Sequence, residues 1–136
     1  MSMKLLVIDR DQRFLNTVCD LFEPRGHAVV HESDADAAIA RAHHWQPDVI
    51  LVSAEIDRCC RGDLLTQLAQ VEGRPAILLT AHMDRFDQAW QAWQRGADEL
   101  LLKPVLHPAD LDAAVLAARQ NAIALQRQSN ALAMSA

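Results

Sequence analysis

Runs of aliphatic residues with no polar residue among them recur along this chain: Leu5-Leu6-Val7-Ile8, Val49-Ile50-Leu51-Val52 and Ala76-Ile77-Leu78-Leu79. Successive side chains of a strand point to opposite faces, so four aliphatic residues in a row place apolar groups on both. A strand of that kind must be covered on both sides, which is the condition of a parallel sheet between two helical layers. Each run is followed by apolar residues at helical spacing. Phe14, Leu15, Val18, Leu21 and Phe22 form a first helix, closed by Pro24 and Gly26. A second strand is predicted over residues 27–31. Ser33 and Asp36 then read as a helix start before Ala37, Ala38, Ile39, Ala42 and Trp45, and Pro47 stops that helix.

The second half repeats the alternation. A third strand is predicted over residues 48–53, and Leu64, Leu65, Leu68 and Val71 make a third helix closed near Gly73. A fourth strand over 75–80 leads to a helix opened by Asp84, carrying Phe86, Ala89, Trp90 and Trp93, and closed by Gly96. The fifth strand, over 99–102, ends at Lys103-Pro104. Pro108 then sits in the first turn of a long Ala/Leu helix, where its missing N–H costs nothing. Five strand–helix pairs with right-handed crossovers predict an α/β fold: a (βα)5 doubly wound parallel five-stranded sheet in a three-layer sandwich. The predicted domain spans residues 3–120, with a helical extension over 121–136.

The 136 residues suit one domain, and a hydrophobic content of 51% excludes a disordered chain. Net charge is −5 with basic residues scattered, so no direct nucleic-acid partner is expected. No apolar run is long enough to cross a bilayer. The amino terminus has no signal-peptide anatomy and three cysteines make no disulfide framework, so a reducing, cytoplasmic setting is expected. Ligands of doubly wound sheets bind outside the carboxyl ends of the strands. That rule gathers Asp9, Arg10, Asp11, Ser53, Thr80, Ala81 and Lys103 from four separate segments.

Those segments carry a resemblance. Leu5-Leu6-Val7-Ile8-Asp9, Pro47-Asp48-Val49-Ile50-Leu51-Val52, Pro75-Ala76-Ile77-Leu78-Leu79-Thr80-Ala81, Gly96-Ala97-Asp98-Glu99 and Lys103-Pro104 follow one another at the right spacing. The chain thereby resembles a response-regulator receiver domain of two-component signalling, with flavodoxin-like topology. The resemblance implies a phosphoryl-accepting aspartate at the end of strand three and two acids after strand one that help hold Mg²⁺. It also implies a strand-four Thr or Ser and a strand-five Lys that bind the phosphoryl group, and an aromatic reporter three residues before that Lys. Thr80, Lys103 and Asp9 match. Ser53 stands at the acceptor position, Arg10 replaces the second acid, Glu55-Ile56-Asp57 replaces the usual Met-Pro turn, and Leu100 takes the reporter place.

These departures change the expected chemistry. Mg²⁺ needs hard oxygen ligands, usually including one or two carboxylates, and Ser53 and Arg10 remove two of the three local ones. No Mg²⁺ or other cofactor is expected; if a metal bound, Asp9 and Glu55 would be the acids left for it. A serine hydroxyl without a base is a poor nucleophile, so no ordinary phosphotransfer and no enzymatic activity are expected. The alternative is a working phosphorelay receiver with a displaced acceptor, Glu55 or Asp57, against which both read as hydrated or helix-capping acids. Arg10 either pairs with Asp9, Asp11 or Glu55 in the space of the metal, with Lys103 joining, or points to solvent. A nucleotide- or flavin-binding enzyme is disfavoured because Asp9-Arg10-Asp11-Gln12-Arg13 is no Gly-rich phosphate loop.

The expected function is therefore a phosphorylation-independent protein-interaction module, a pseudo-receiver. Its partners would be a histidine kinase or another signalling protein, or a second copy docked through the region of helices four and five. Trp90, three residues from Trp93 on one helix face, and Leu100 are the expected interaction residues. Cys59-Cys60 reads as a pair of incidental thiols. Leu111, Ala118, Leu125 and Leu132, with Val115, Ala122 and Ser129 between them, form a weak heptad in the last helix.

Overall fold

A computed structural model describes residues 2–59, 63–94 and 96–135. Five strands, β1 (Lys4–Ile8), β2 (Ala28–Glu32), β3 (Val49–Ser53), β4 (Ala76–His82) and β5 (Glu99–Lys103), form one sheet of order β2-β1-β3-β4-β5. All the pairings are parallel. The expected architecture is therefore present.

Alternation along the strands sorts the core into two layers. Leu5, Val7, Val49, Leu51, Ala76 and Leu78 face α1 (Gln12–Phe22) and α6 (Pro108–Ser135), where Phe14, Val18, Phe22, Leu111, Val115 and Ala118 meet them. Leu6, Ile8, Ile50, Val52, Ile77 and Leu79 face the other way. They meet Ala38 and Ala42 of α2 (Ala35–Trp45), Ile56 of α3 (Ala54–Cys59), and Leu64, Leu65 and Leu68 of α4 (Asp63–Ala69). Trp93 of α5 (Phe86–Trp93) packs against this second layer.

Three local expectations are corrected. The cap of α2 is Asp34, whose carboxylate accepts the Ala37 N–H; Ser33 sits one residue too early for that reach. Glu55, Ile56 and Asp57 lie on a helix, α3, where a remodelled loop was expected. The segment carries neither Pro nor Gly, and the Ser53 hydroxyl accepts the Glu55 N–H at the helix start, so nothing stops a helical turn from forming. The fourth helix begins at Phe86, after a 3₁₀ turn over Met83–Arg85, because β4 runs on through Ala81 and His82.

Helix α6 is 28 residues long and passes residue 120 without a break. Leu111, Val115, Ala118 and Ala122 are buried against the sheet, so the first half of the heptad is consumed within the domain. Leu125 is exposed, and the side chains of Ser129 and Leu132 lie outside the described residues, as does Cys60.

Leu51 lies fully buried in β3, at the centre of the sheet. Leu51→Ala is expected to lower the free energy of unfolding by about 2–5 kcal/mol in urea titration. Leu125→Ala is expected to change it by less than about 0.5 kcal/mol.

Candidate functional site

The carboxyl ends of β1, β3, β4 and β5 converge because the register aligns them. Ile8 pairs with Val52, Ser53 with Thr80, and His82 with Lys103. Asp9 follows Ile8 directly, so Asp9, Ser53, Thr80 and Lys103 stand at one edge, each buried (3%, 5%, 0% and 4% exposed).

Lys103 organises this edge. Its Nζ donates to Asp9 Oδ2 at 2.8 Å and lies 3.5 Å from Asp11 Oδ2. It also sits 5.0 Å from the centroid of the Phe14 ring, a cation–π contact from the first turn of α1. The other oxygen of Asp9 accepts the Asp11 N–H at 2.9 Å. Asp11 is the N-cap of α1, its Oδ1 accepting the N–H groups of Arg13 at 3.0 Å and Phe14 at 3.2 Å. Burial alone would raise the pKa of Asp11. The Phe14 N–H, the charge and hydrogen bond of Lys103 and the Arg13 N–H outweigh that and hold it below the usual carboxylate value.

Other expected site residues take different positions. Arg10 is exposed and makes no hydrogen bond or ion pair with any described residue. The cation inside the site is Lys103, whose strand aims it inward, whereas Arg10 sits between two inward-engaged acids and turns out. The Thr80 hydroxyl donates to the Val52 carbonyl at 3.4 Å. Glu55 is exposed and, with Ser53, Ala81, His82, Arg85 and Lys103, lines a small cleft of about 20 Å³. Asp57 is buried away from it, and its Oδ1 accepts the Leu65 N–H near the start of α4 at 3.2 Å. Among the described residues, no three of His, Cys, Asp and Glu converge as metal ligands. The donor set is a poor fit for Mg²⁺: Asp9 Oδ2 is taken by the Lys103 ammonium and Oδ1 by the Asp11 N–H.

Sequence reasoning missed His82 and Arg85 as cleft residues because it ended β4 at Thr80. The signal was present in the apolar Ala81 that continues the strand. Of the two expected interaction residues, Trp90 is 44% exposed, stacked on Phe86 with ring centroids 6.2 Å apart. Leu100 is half-buried against the core. Phe86 at the start of α5 and Met83 in the 3₁₀ turn before it are exposed as well.

The family described as the response regulator receiver domain matches residues 5–116. The chain is 29% identical over 118 residues to the alkaline phosphatase synthesis transcriptional regulatory protein PhoP of Bacillus subtilis, covering 86% of this chain and 48% of that protein. It is 25% identical to the transcriptional regulatory protein ResD of the same organism, covering 74% of this chain and 42% of that one. The chain thus spans about half the length of these curated relatives. Among solved structures, a response regulator receiver domain protein from Clostridium thermocellum aligns with a TM-score of 0.74 and 25% identity over 90% of this chain and 98% of that chain. A response regulator protein from Burkholderia pseudomallei, solved with a phosphorylated aspartic acid, a calcium ion and citrate, aligns with a TM-score of 0.72 and 27% identity, over 93% of this chain and 72% of that one. The chain belongs to the response regulator receiver domains of two-component signalling. Among the described residues, no helix is long and apolar enough to cross a membrane.

Removing the cation leaves two buried or half-buried carboxylates facing one another. Lys103→Met is expected to cost about 3–5 kcal/mol of stability by chemical denaturation, whereas Arg10→Ala is expected to cost less than about 0.5 kcal/mol. Because the folded-state pKa of Asp11 is depressed, its ionised form stabilises the fold above its unfolded-state pKa. That contribution is lost as pH falls through the lower folded-state value. Asp11→Asn is accordingly expected to flatten the acid limb of a stability–pH profile.

Proposed function

We propose that this receiver domain signals through protein contact without accepting a phosphoryl group or binding Mg²⁺. The observation that carries this reading is the pairing of Lys103 with Asp9 and Asp11 beside a serine at the acceptor position. The resemblance gives the strand-five lysine the task of binding the phosphoryl oxygen, and gives Asp9 the task of holding metal. Here each neutralises the other. A divalent ion would have to displace an ammonium from a nearly dry site and would gain only Asp9 and the half-exposed side of Asp11 in exchange. Ser53 offers no carboxylate for an acyl phosphate, and its hydroxyl already caps α3. The contact surface in this reading is the exposed Met83–Phe86–Trp90 ridge, with large aromatics of the kind that anchor interfaces. A protein partner, such as a histidine kinase, another signalling protein or a second copy, would dock there.

One observation favours a second reading, a receiver with a relocated acceptor. Glu55 is exposed at the mouth of the cleft that Lys103 and Arg85 line. Asp57 has weaker support, because it is buried and bonded to the start of α4.

The two readings separate in one experiment. The protein is incubated with acetyl phosphate and Mg²⁺ and weighed intact. No added phosphoryl group, and no Mg²⁺-dependent change in Trp fluorescence, is the expected result. A stoichiometric adduct that disappears in Glu55→Gln or Asp57→Asn would overturn it. The double variant Arg10→Asp with Ser53→Asp, which restores both missing acids, is expected to bind Mg²⁺ by calorimetry where the parent does not.

A further inference from the structure

Phe86 and Trp90 stand four residues apart on α5, a spacing that brings two side chains together on one helix face. Their rings are stacked, with centroids 6.2 Å apart and planes 29° apart, and both side chains are exposed. Trp93, on the same helix, packs against the core and meets Trp90 edge to face, with centroids 5.0 Å apart. The indole of Trp90 is thus in contact with two other rings while open to solvent. Together with Asp87 and Gln91, Phe86 and Trp90 line an open hollow of about 480 Å³.

Asp87 gives the hollow its sign. It is exposed, and among the described residues its side chain makes no ion pair and no hydrogen bond. Asp84, in the 3₁₀ turn before α5, is likewise exposed and unpaired among the described residues. Arg85 borders an adjacent hollow with both acids, but it pairs with neither and does not line the hollow beside Trp90. This face therefore offers two rings, whose π faces carry negative potential, next to a carboxylate with no cation of its own. The combination complements a cation, and a flat one most closely. A guanidinium stacks on an aromatic face and still directs its N–H groups, in plane, to a carboxylate and to an amide oxygen such as that of Gln91.

We propose that the Phe86–Trp90 face of α5 docks a protein partner through an arginine side chain, stacked on Trp90 and paired with Asp87. The inference rests on the reading of this face as the contact surface, and it names the chemistry of the partner. An exposed ion pair and an exposed cation–π contact are each weak, and the hollow is too open to enclose a small molecule. Residues flanking the arginine supply the remaining contact, over the exposed side chains of Phe86 and Met83.

The probe is a short capped peptide with one arginine between two leucines, titrated into the isotope-labelled full chain while the indole N–H signals are followed by NMR. The Trp90 signal, assigned with Trp90→Phe, is expected to shift saturably, and that of Trp45 on α2 to stay in place. Citrulline in place of the arginine, nearly the same shape without the charge, is expected to weaken binding by about tenfold. Asp87→Asn is expected to weaken it by about threefold, and Asp36→Asn, which removes an exposed acid on α2, to leave it unchanged. No saturable shift at Trp90, equal affinity for the arginine and citrulline peptides, undiminished binding in Asp87→Asn, or free N-acetylarginine amide binding as tightly as the peptide would each overturn the proposal. Phosphoryl uptake is read separately by mass, so a failed titration leaves the phosphorylation-independent reading standing, and an acetyl phosphate adduct would sink that reading whatever the titration shows.

Discussion

Burial of β1, β3 and β4 on both faces is the constraint from which the rest follows. Each of these strands sends fully buried aliphatic side chains in both directions. Two layers of helix are then obligatory, parallel pairing follows, and all five carboxyl ends emerge on one edge. That edge is where the strands stop supplying apolar residues and begin supplying Asp9, Ser53 and Lys103. Fixed aliphatic register thus converts residues more than ninety positions apart into an ion pair.

The site sets different side chains on a receiver frame. Thr80 and Lys103 keep the positions that the family resemblance assigns them, and the backbone around them is that of a receiver. With a serine at the end of β3, the lysine meets the acids of the first loop instead. The serine takes up a different task, accepting the Glu55 N–H where α3 begins.

The sheet, its helices and the edge residues were legible in the sequence because aliphatic runs and helical spacing are local signals. The inward residues Asp9, Asp11 and Lys103 could be named, but not the partner of each. Arg10 and Lys103 are both long cations near the same acids, and only strand direction decides which one enters. Glu55 and Asp57 could be flagged as displaced acids, yet their fates differ by exposure: Glu55 lines the cleft and Asp57 turns toward α4. That split depends on the phase of a helix whose existence the family pattern disguised. Asp98 was legible only as part of a matching string. Its burial, with Oδ2 accepting from the Arg74 guanidinium and the Ile77 N–H, depends on how the starts of β4 and β5 come together.

Helix α6 has a mechanical consequence. Its first half is clamped to β4 and β5, and about 20 Å of continuous helix, at 1.5 Å per residue, extends past Ala122. Such a rod is a lever with its fulcrum in the core. A rotation of about 10° at the clamped end would sweep the far end through roughly 3.5 Å, with no helical hydrogen bond broken. Any event that tilts the sheet-facing stripe of Leu111, Val115 and Ala118 is thereby magnified at a distance.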